Sequence, residues 1–296
     1  MDIVMFHSGK EFPEFLEYTF RQIRLFNPDI TVYFLTDETH TTNLIFTKYR
    51  IIAIDKDLFY SDKINEFELA YNRKSDNFWT ITATRLIYIE NFLREFKLKN
   101  VYHFENDVLL YYDLNQHHRA FQNTYKYLAI TTGGEDKAMT GFLFIKNWRA
   151  LASMTQFFID VLQTNGVKGV KNMYQMDMVN EMTLMRAYGK EKGEKYLDNL
   201  PILPFGDFSE NFEVFNSIFD PASWGQFVGG EVKYKTPGCK PTDHYIGQEL
   251  LQHPEYDVVW KKDNKGRNIP YFKYDDTEVK INNFHIHSKN LHKYIS

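Results

Sequence analysis

The sequence predicts an α/β fold in which helices flank a mostly parallel central sheet. Three short apolar runs, at residues 3–6, 31–35 and 51–54, have the length of buried strands. Between the first two, apolar residues recur at near-helical spacing over residues 12–25, and Asn27-Pro28 ends that helix. Strands that alternate with helices in this way are typical of a parallel sheet with crossover connections.

The same alternation continues along the chain to residue 188. We expect a helix at 78–96, a strand at 101–104, strands at 127–131 and 141–145 flanking a Gly133-Gly134 turn, and helices at 148–163 and 174–188.

The pattern changes at Asp198, after which proline and glycine are frequent and loops are expected. A hairpin is predicted around residues 263–266, between two short apolar runs. Residues 279–287 alternate and predict a last strand. We expect one domain over residues 1–296, whose C-terminal part folds back over the active edge of the sheet.

Bulk properties exclude several classes of function. The net charge is −4 and no basic stripe is present, so extended nucleic-acid binding is not expected. Cys239 is the single cysteine, which rules out an internal disulfide framework. No run approaches the roughly 20 apolar residues that cross a bilayer, and the N-terminus lacks the basic region of a signal peptide. We therefore expect a cytoplasmic protein without a transmembrane segment.

Two acids follow the predicted strand 101–104. Glu105 and Asp107 are two residues apart, so on an extended segment they face the same side and can address one cation. An acid-x-acid triplet alone more often marks a solvated strand end. Here, however, the triplet lies between two apolar blocks, which is unusual for a generic surface feature.

This segment resembles the Asp-x-Asp motif of GT-A glycosyltransferases, with Glu105 in the first place and Asn106 between the acids. The preceding helix, which contains Arg85, and the run Thr140-Gly141-Phe142-Leu143 are similar to their counterparts in that family, and the likeness covers about residues 1–150. It implies a GT-A, Rossmann-like fold in which residues 1–147 bind a nucleotide sugar and residues 148–296 bind the acceptor.

The resemblance also implies a donor and a metal. A nucleoside diphosphate sugar, with UDP as the first expectation, would be bound by Arg85, Glu105 and Asn106. His7 and Asp37 end the first two strands, where these enzymes bind the base and ribose. Glu105 and Asp107 would ligate Mn²⁺, with Mg²⁺ as the alternative.

The C-terminal run Asn283-Phe284-His285-Ile286-His287-Ser288-Lys289 supplies a third element. Its alternation places both histidines on one face, with Lys289 just beyond. It is similar to the late histidine and lysine of the retaining glycogenin and bacterial galactosyltransferase families, which ligate manganese and contact the diphosphate. We favour His287 over His285 as the ligand because it is nearer the lysine. A mixed carboxylate and imidazole set favours manganese.

Four further residues are candidates for catalysis. Asp177 and Asn180 are three apart on the predicted helix 174–188, and the retaining families have such a pair against the transferred sugar. A helix N-terminal acid favoured by the macrodipole explains the pattern equally well. Asp220 and Gln226 belong to an unusual stretch, residues 220–230, that contains Trp224 and a Gly229-Gly230 pair.

These residues favour sugar transfer from a nucleoside diphosphate donor to a hydroxyl acceptor, for which a glycan is expected. The late histidine and the Asp177/Asn180 pair favour a retaining reaction, whereas an inverting enzyme would need a base for the acceptor hydroxyl. Two alternatives remain: a metal-dependent nucleotidyltransferase on the same sheet, and a non-catalytic sugar-binding domain.

Overall fold

The computed structural model describes residues 1–72, 77–132, 138–229 and 256–296. Its centre is a seven-stranded sheet in the order β3-β2-β1-β4-β7-β6-β8. The strands of this sheet are β1 (Asp2–Phe6), β2 (Thr31–Thr36), β3 (Ile52–Asp55), β4 (Lys99–Phe104), β6 (Leu128–Thr132), β7 (Ala138–Asn147) and β8 (Leu197–Asn199). The predicted α/β class and mostly parallel sheet are confirmed.

The first four strands, β3-β2-β1-β4, form the parallel half of the sheet. β1 pairs in parallel with β2 on one side, with Asp2 opposite Thr31, and with β4 on the other. Ile3, Val4 and Met5 are fully buried because helices cover both faces of the sheet. All carboxyl ends in this half therefore lie at one edge, where ligands of open α/β sheets bind.

β7 breaks the parallel pattern, since it runs antiparallel to both β4 and β6. The sheet is therefore mixed. The predicted Gly133-Gly134 turn, like Cys239, lies outside the described residues.

Nine helices of four or more residues occur in the described part of the chain. They are α1 (Leu16–Phe26), α2 (Leu44–Lys48), α3 (Asp62–Tyr71), α4 (Asn77–Glu95), α5 (His118–Thr124), α6 (Trp148–Met173), α7 (Glu181–Lys192), α8 (Phe212–Phe215) and α9 (Trp224–Gly229). No helix among these residues is long and apolar enough to span a membrane.

The predicted helix over residues 174–188 is wrong at its start. α7 begins at Glu181 because Asn180, in an extended conformation, caps it: its side chain accepts a hydrogen bond from the Thr183 amide and the Thr183 hydroxyl accepts one from the Asn180 amide. Asp177 and Asn180 therefore precede the helix and do not share a helical face.

The C-terminal part is built from short strands. β9 (Asp257–Lys262) and β10 (Asn268–Tyr274) form the predicted hairpin, and β11 (Thr277–Lys280) adds to β10. The single strand expected at 279–287 is wrong, because the chain leaves this sheet and β12 (Asn283–His285) pairs antiparallel with β5 (Val108–Leu110). This crossing brings the C-terminal histidines beside the acids that precede β5.

Candidate active site

A cleft of about 470 Å³ opens at the carboxyl ends of β1 and β4. Seven of the residues predicted for the site line it, together with His285. The seven are His7, Arg85, Glu105, Asn106, Asp107, His287 and Lys289.

The two acids at the end of β4 have different partners. The Arg85 guanidinium donates to Glu105 Oε1 at 2.6 Å and to the Thr140 hydroxyl at 2.6 Å, and that hydroxyl also bonds Glu105. Asp107 is buried and faces the C-terminal segment, where it forms ion pairs with His285 and Lys289. Glu105 is therefore anchored to the sheet and to α4, and Asp107 is directed at the cleft.

Asp107, His285 and His287 form a cluster that can hold a metal ion, with one ligand atom from each and all three within 4.8 Å of one another. His285 Nε2 lies 3.1 Å from Asp107 Oδ1 and 3.2 Å from Glu105 Oε2. The two imidazole rings meet edge to face, with centroids 4.3 Å apart. His285, which we expected to be the weaker candidate, thus lies nearest both carboxylates.

Charge is concentrated in this cluster. Burial lowers the pKa of His285, but the carboxylates of Asp107 and Glu105 outweigh burial and raise it to about 10. Burial and the neighbouring His285 charge lower the pKa of His287 to about 3, so this ring is neutral. Burial would raise the pKa of Asp107, yet His285 and Lys289 hold it well below its usual range. The acids are ionised and His287 is neutral, as metal ligation requires, whereas His285 would have to lose its proton to become a ligand.

Two glycines allow His285 to reach the acids. A Cβ on Gly141 of β7 would lie 2.6 Å from His285 Nδ1, and one on Gly225 of α9 would lie 2.2 Å from the His285 carbonyl oxygen. Real Cβ atoms do not approach other atoms so closely. Any larger residue at either position would displace the His285 ring or its backbone.

Asp220 lies outside the cleft lining and acts on the backbone. Its buried carboxylate accepts hydrogen bonds from the amides of Ser223, Trp224, Gly225 and His285, at 2.8 to 2.9 Å. It thereby ties the start of α9 to β12. Gln226 is also buried, and its side-chain oxygen has no partner among the described residues.

The remaining predicted residues are more widely spread. His7 Nε2 bonds the Glu11 carbonyl oxygen at 2.9 Å, at one end of the cleft. Asp37 accepts from the Gly9 amide at 2.7 Å and pairs with Lys56 at 3.0 Å, but does not line the cleft. Asp177 is exposed and Asn180 caps α7, and neither lines it.

Sequence reasoning missed a group of further residues that line the cleft. It consists of Trp79, Thr82, Met139, Glu181 and Met182. Glu181 gave no signal because the predicted helix placed it in a helix interior, without the capping that fixes it at the first turn. The proximity of α4 to α7 depends on tertiary packing.

Comparison with known proteins identifies the fold. No family model and no curated protein matches the sequence. Mouse xyloside xylosyltransferase 1, in its apo form, matches with a TM-score of 0.51 and 9% identity over 72% of this chain and 92% of that one. The galactosyltransferase LgtC, in complex with donor and acceptor sugar analogs, gives 0.41 and 14% over 68% and 73%, a likeness too low to add weight. The chain has the GT-A glycosyltransferase fold.

Proposed function

We propose that the chain is a metal-dependent glycosyltransferase that moves a sugar from a nucleoside diphosphate sugar, with UDP the expected nucleotide, to a hydroxyl of a glycan. One observation carries the proposal: Asp107, His285 and His287 converge in a cleft at the carboxyl ends of the parallel strands. Lys289 adds a cation at the same point through its ion pair with Asp107.

The residues fit a divalent ion. Ligands held at about 2.1 Å in octahedral geometry are about 3 Å apart when adjacent. His285 Nε2 and Asp107 Oδ1, 3.1 Å apart through the hydrogen bond between them, are already close to that spacing. One carboxylate and two imidazoles favour Mn²⁺, because Mg²⁺ prefers oxygen ligands. Glu105 lies next to this set, at 3.2 Å from His285, as a further oxygen ligand direct or through water.

When bound, the ion would neutralise the charge that grows on the departing diphosphate. The side chains of the cleft would supply the other functions. Lys289, with its side chain half exposed, can turn from Asp107 to a phosphate oxygen. Arg85 holds the Glu105 carboxylate in one orientation, so that it faces the cluster. His7, at the end of β1, lies where the base or ribose would bind.

Calorimetric titration of UDP tests the proposal. We expect tight binding in the presence of Mn²⁺ and binding weaker by tenfold or more, that is about 1.4 kcal/mol or more, in its absence. Equal affinity with and without the metal would contradict metal-dependent donor binding. Measurement of UDP release from a panel of UDP-sugars then distinguishes sugar transfer from simple binding.

The stereochemical course is a separate matter. Retention was favoured by the late histidine and the Asp177/Asn180 pair, and of these only His287 lines the cleft. Retention therefore stays a prediction, to be read from the anomer of the product. A nucleotidyltransferase would release diphosphate from a nucleoside triphosphate but no UDP from a UDP-sugar, and a sugar-binding domain would release neither.

A further inference from the structure

Glu181 is a buried acid in the cleft that the cation cluster does not use. It is the first residue of α7 and is 2% exposed, yet its side chain lines the cleft beside Met139 and Met182. The reciprocal cap between Asn180 and Thr183 fixes the start of the helix. The helix N-terminus offers its positive dipole end to the carboxylate, which partly opposes the effect of burial on its charged form.

The partners of Glu181 leave its carboxylate available. Its Oε2 atom bonds the Thr82 hydroxyl at 2.8 Å, and this hydroxyl also lies 3.0 Å from the Trp79 carbonyl oxygen. No lysine or arginine nitrogen of the described residues lies within 4.0 Å of the carboxylate. The nearby Arg85 is engaged by Glu105 and Thr140.

Glu90 of α4, in the same helix layer, differs from Glu181 in its charge partners. It is equally buried, at 2% exposed, but Lys63 pairs with it at 2.8 Å and the Thr155 hydroxyl bonds it at 2.6 Å. It does not line the cleft. Glu90 therefore belongs to a structural ion pair, whereas the Glu181 carboxylate accepts hydrogen bonds from neutral groups, the Thr82 hydroxyl and its own backbone amide, and opens onto the cleft.

The surroundings of Glu181 also favour a particular ligand. Met139 and Met182 form an apolar cluster with Ala222, and Trp79 packs against it. Phe78, 63% exposed, lies beside Trp79 at the cleft mouth, with ring centroids 4.9 Å apart. An acid next to an aromatic and apolar wall suits a sugar, which presents C–H faces and hydroxyl groups together.

We propose that Glu181 is the catalytic base that accepts the proton of the acceptor sugar's hydroxyl. The inference rests on the proposed function. As the acceptor oxygen forms its bond to the anomeric carbon, the bond from that carbon to the diphosphate oxygen breaks. The diphosphate leaves with the bonding electron pair, and the hydroxyl proton moves to a Glu181 carboxylate oxygen. Because a protein base assists an acceptor that attacks opposite the leaving group, this role requires inversion at the anomeric carbon, in place of the retention that the late histidine and the Asp177/Asn180 pair favour.

The electrostatics agree with this role. Burial raises the pKa of Glu181 to about 7, the charge of Arg85 opposes that rise, and the charge of Glu105 adds to it. A base acts in its ionised form, so turnover is expected to increase with pH through about 7 and then level off. The charged groups that act on Glu181 from the neighbouring elements are thus Arg85 of α4 and Glu105 after β4.

The test compares Glu181→Gln with Glu90→Gln as the matched control of a buried acid. UDP release is measured with Mn²⁺, a panel of UDP-hexoses and UDP-xylose as donors, and p-nitrophenyl glycosides as acceptors. We expect Glu181→Gln to bind UDP with Mn²⁺ as the wild type does, but to turn over about 100-fold or more slowly and without the rise near neutral pH. Glu90→Gln should keep the wild-type rate and pH profile in its folded fraction.

The outcomes separate the two proposals. Turnover by Glu181→Gln within about threefold of wild type, or an unchanged pH profile, would overturn the base assignment while leaving glycosyl transfer intact. A retained anomer in the wild-type product would overturn it as well. If the wild type binds UDP with Mn²⁺ but uses none of the sugar acceptors, the inference of a sugar acceptor and its base fails. If it does not bind UDP at all, the proposed function fails, and this inference with it.

Discussion

The acid segment (residues 105–107) and the closing segment (residues 283–289) meet at one cluster but reach it in different ways. The acids follow a central strand that pairs with β1 and β7, so their place is set within a few residues of the sheet. The histidines depend on β12 pairing with β5 and on the Asp220 carboxylate. The proposed metal ligands thus come from one locally positioned segment and one that tertiary contacts position.

This difference decides how each segment can be tested. Phe284, Ile286 and Leu291 are fully buried in a core cluster with Tyr111 and Trp224. Deleting residues 283–296 would therefore remove core as well as the proposed ligands, and loss of donor binding in that variant would not identify a site. Single substitutions at the contact points are the informative changes.

The largest effect is expected for Asp107→Asn on the acid segment. The amide is a poor ligand, so Mn²⁺-dependent UDP binding should be lost and turnover should fall about a thousandfold. Asparagine keeps the shape of the side chain but loses the ion pairs with His285 and Lys289, so the melting temperature should fall while the fold persists. Asp113→Asn is the control, since Asp113 caps the turn after β5 and does not line the cleft.

Mn²⁺ titration and thermal melting measure both effects. Full turnover in Asp107→Asn would show that this residue is not part of the proposed site. Loss of folding would show that Asp107 serves the structure first.

An intermediate effect is expected for Gly141→Ala in β7, where His285 of the closing segment packs against the sheet. The added methyl group would lie 2.6 Å from His285 Nδ1, so the ring must move away from the acids. Mn²⁺ affinity should fall by about tenfold or more. Gly189→Ala on α7 is the matched control, because its methyl group would meet Leu197 at 3.4 Å, an ordinary contact. Equal Mn²⁺ affinity in the two alanine variants would show that His285 does not ligate the metal.

The smallest effect is expected for Lys289→Gln at the exposed end of the closing segment. Loss of one charged contact to the diphosphate should weaken UDP binding by about tenfold in the presence of Mn²⁺. Mn²⁺ binding without nucleotide should not weaken, because Lys289 competes with the metal for Asp107. The control is Lys293→Gln, an exposed lysine four residues further on. Weaker Mn²⁺ binding in Lys289→Gln alone would contradict a phosphate role.

Local patterns predicted the parallel half of the molecule well. The strands at β1, β2 and β4 and the helix α4 begin and end within two residues of their expected bounds. Apolar runs and helical periodicity depend only on neighbours along the chain, so they can be recognised without knowledge of the fold. The prediction was wrong where a side chain changed the local geometry, as at Asn180, whose cap delayed the start of α7 to Glu181.

The sequence by itself determined the α/β class, the acid pair at a strand end and the shared direction of His285 and His287, because each depends on a period of a few residues. Only the tertiary structure decided that His285 lies nearest both acids, that Asp220 ties β12 to α9, and that Glu181 opens onto the cleft. These positions result from the β5–β12 pairing and the packing of α4, α7 and α9. Such contacts join residues up to about 180 positions apart, as in the ion pair between Asp107 and Lys289, and no local pattern encodes them.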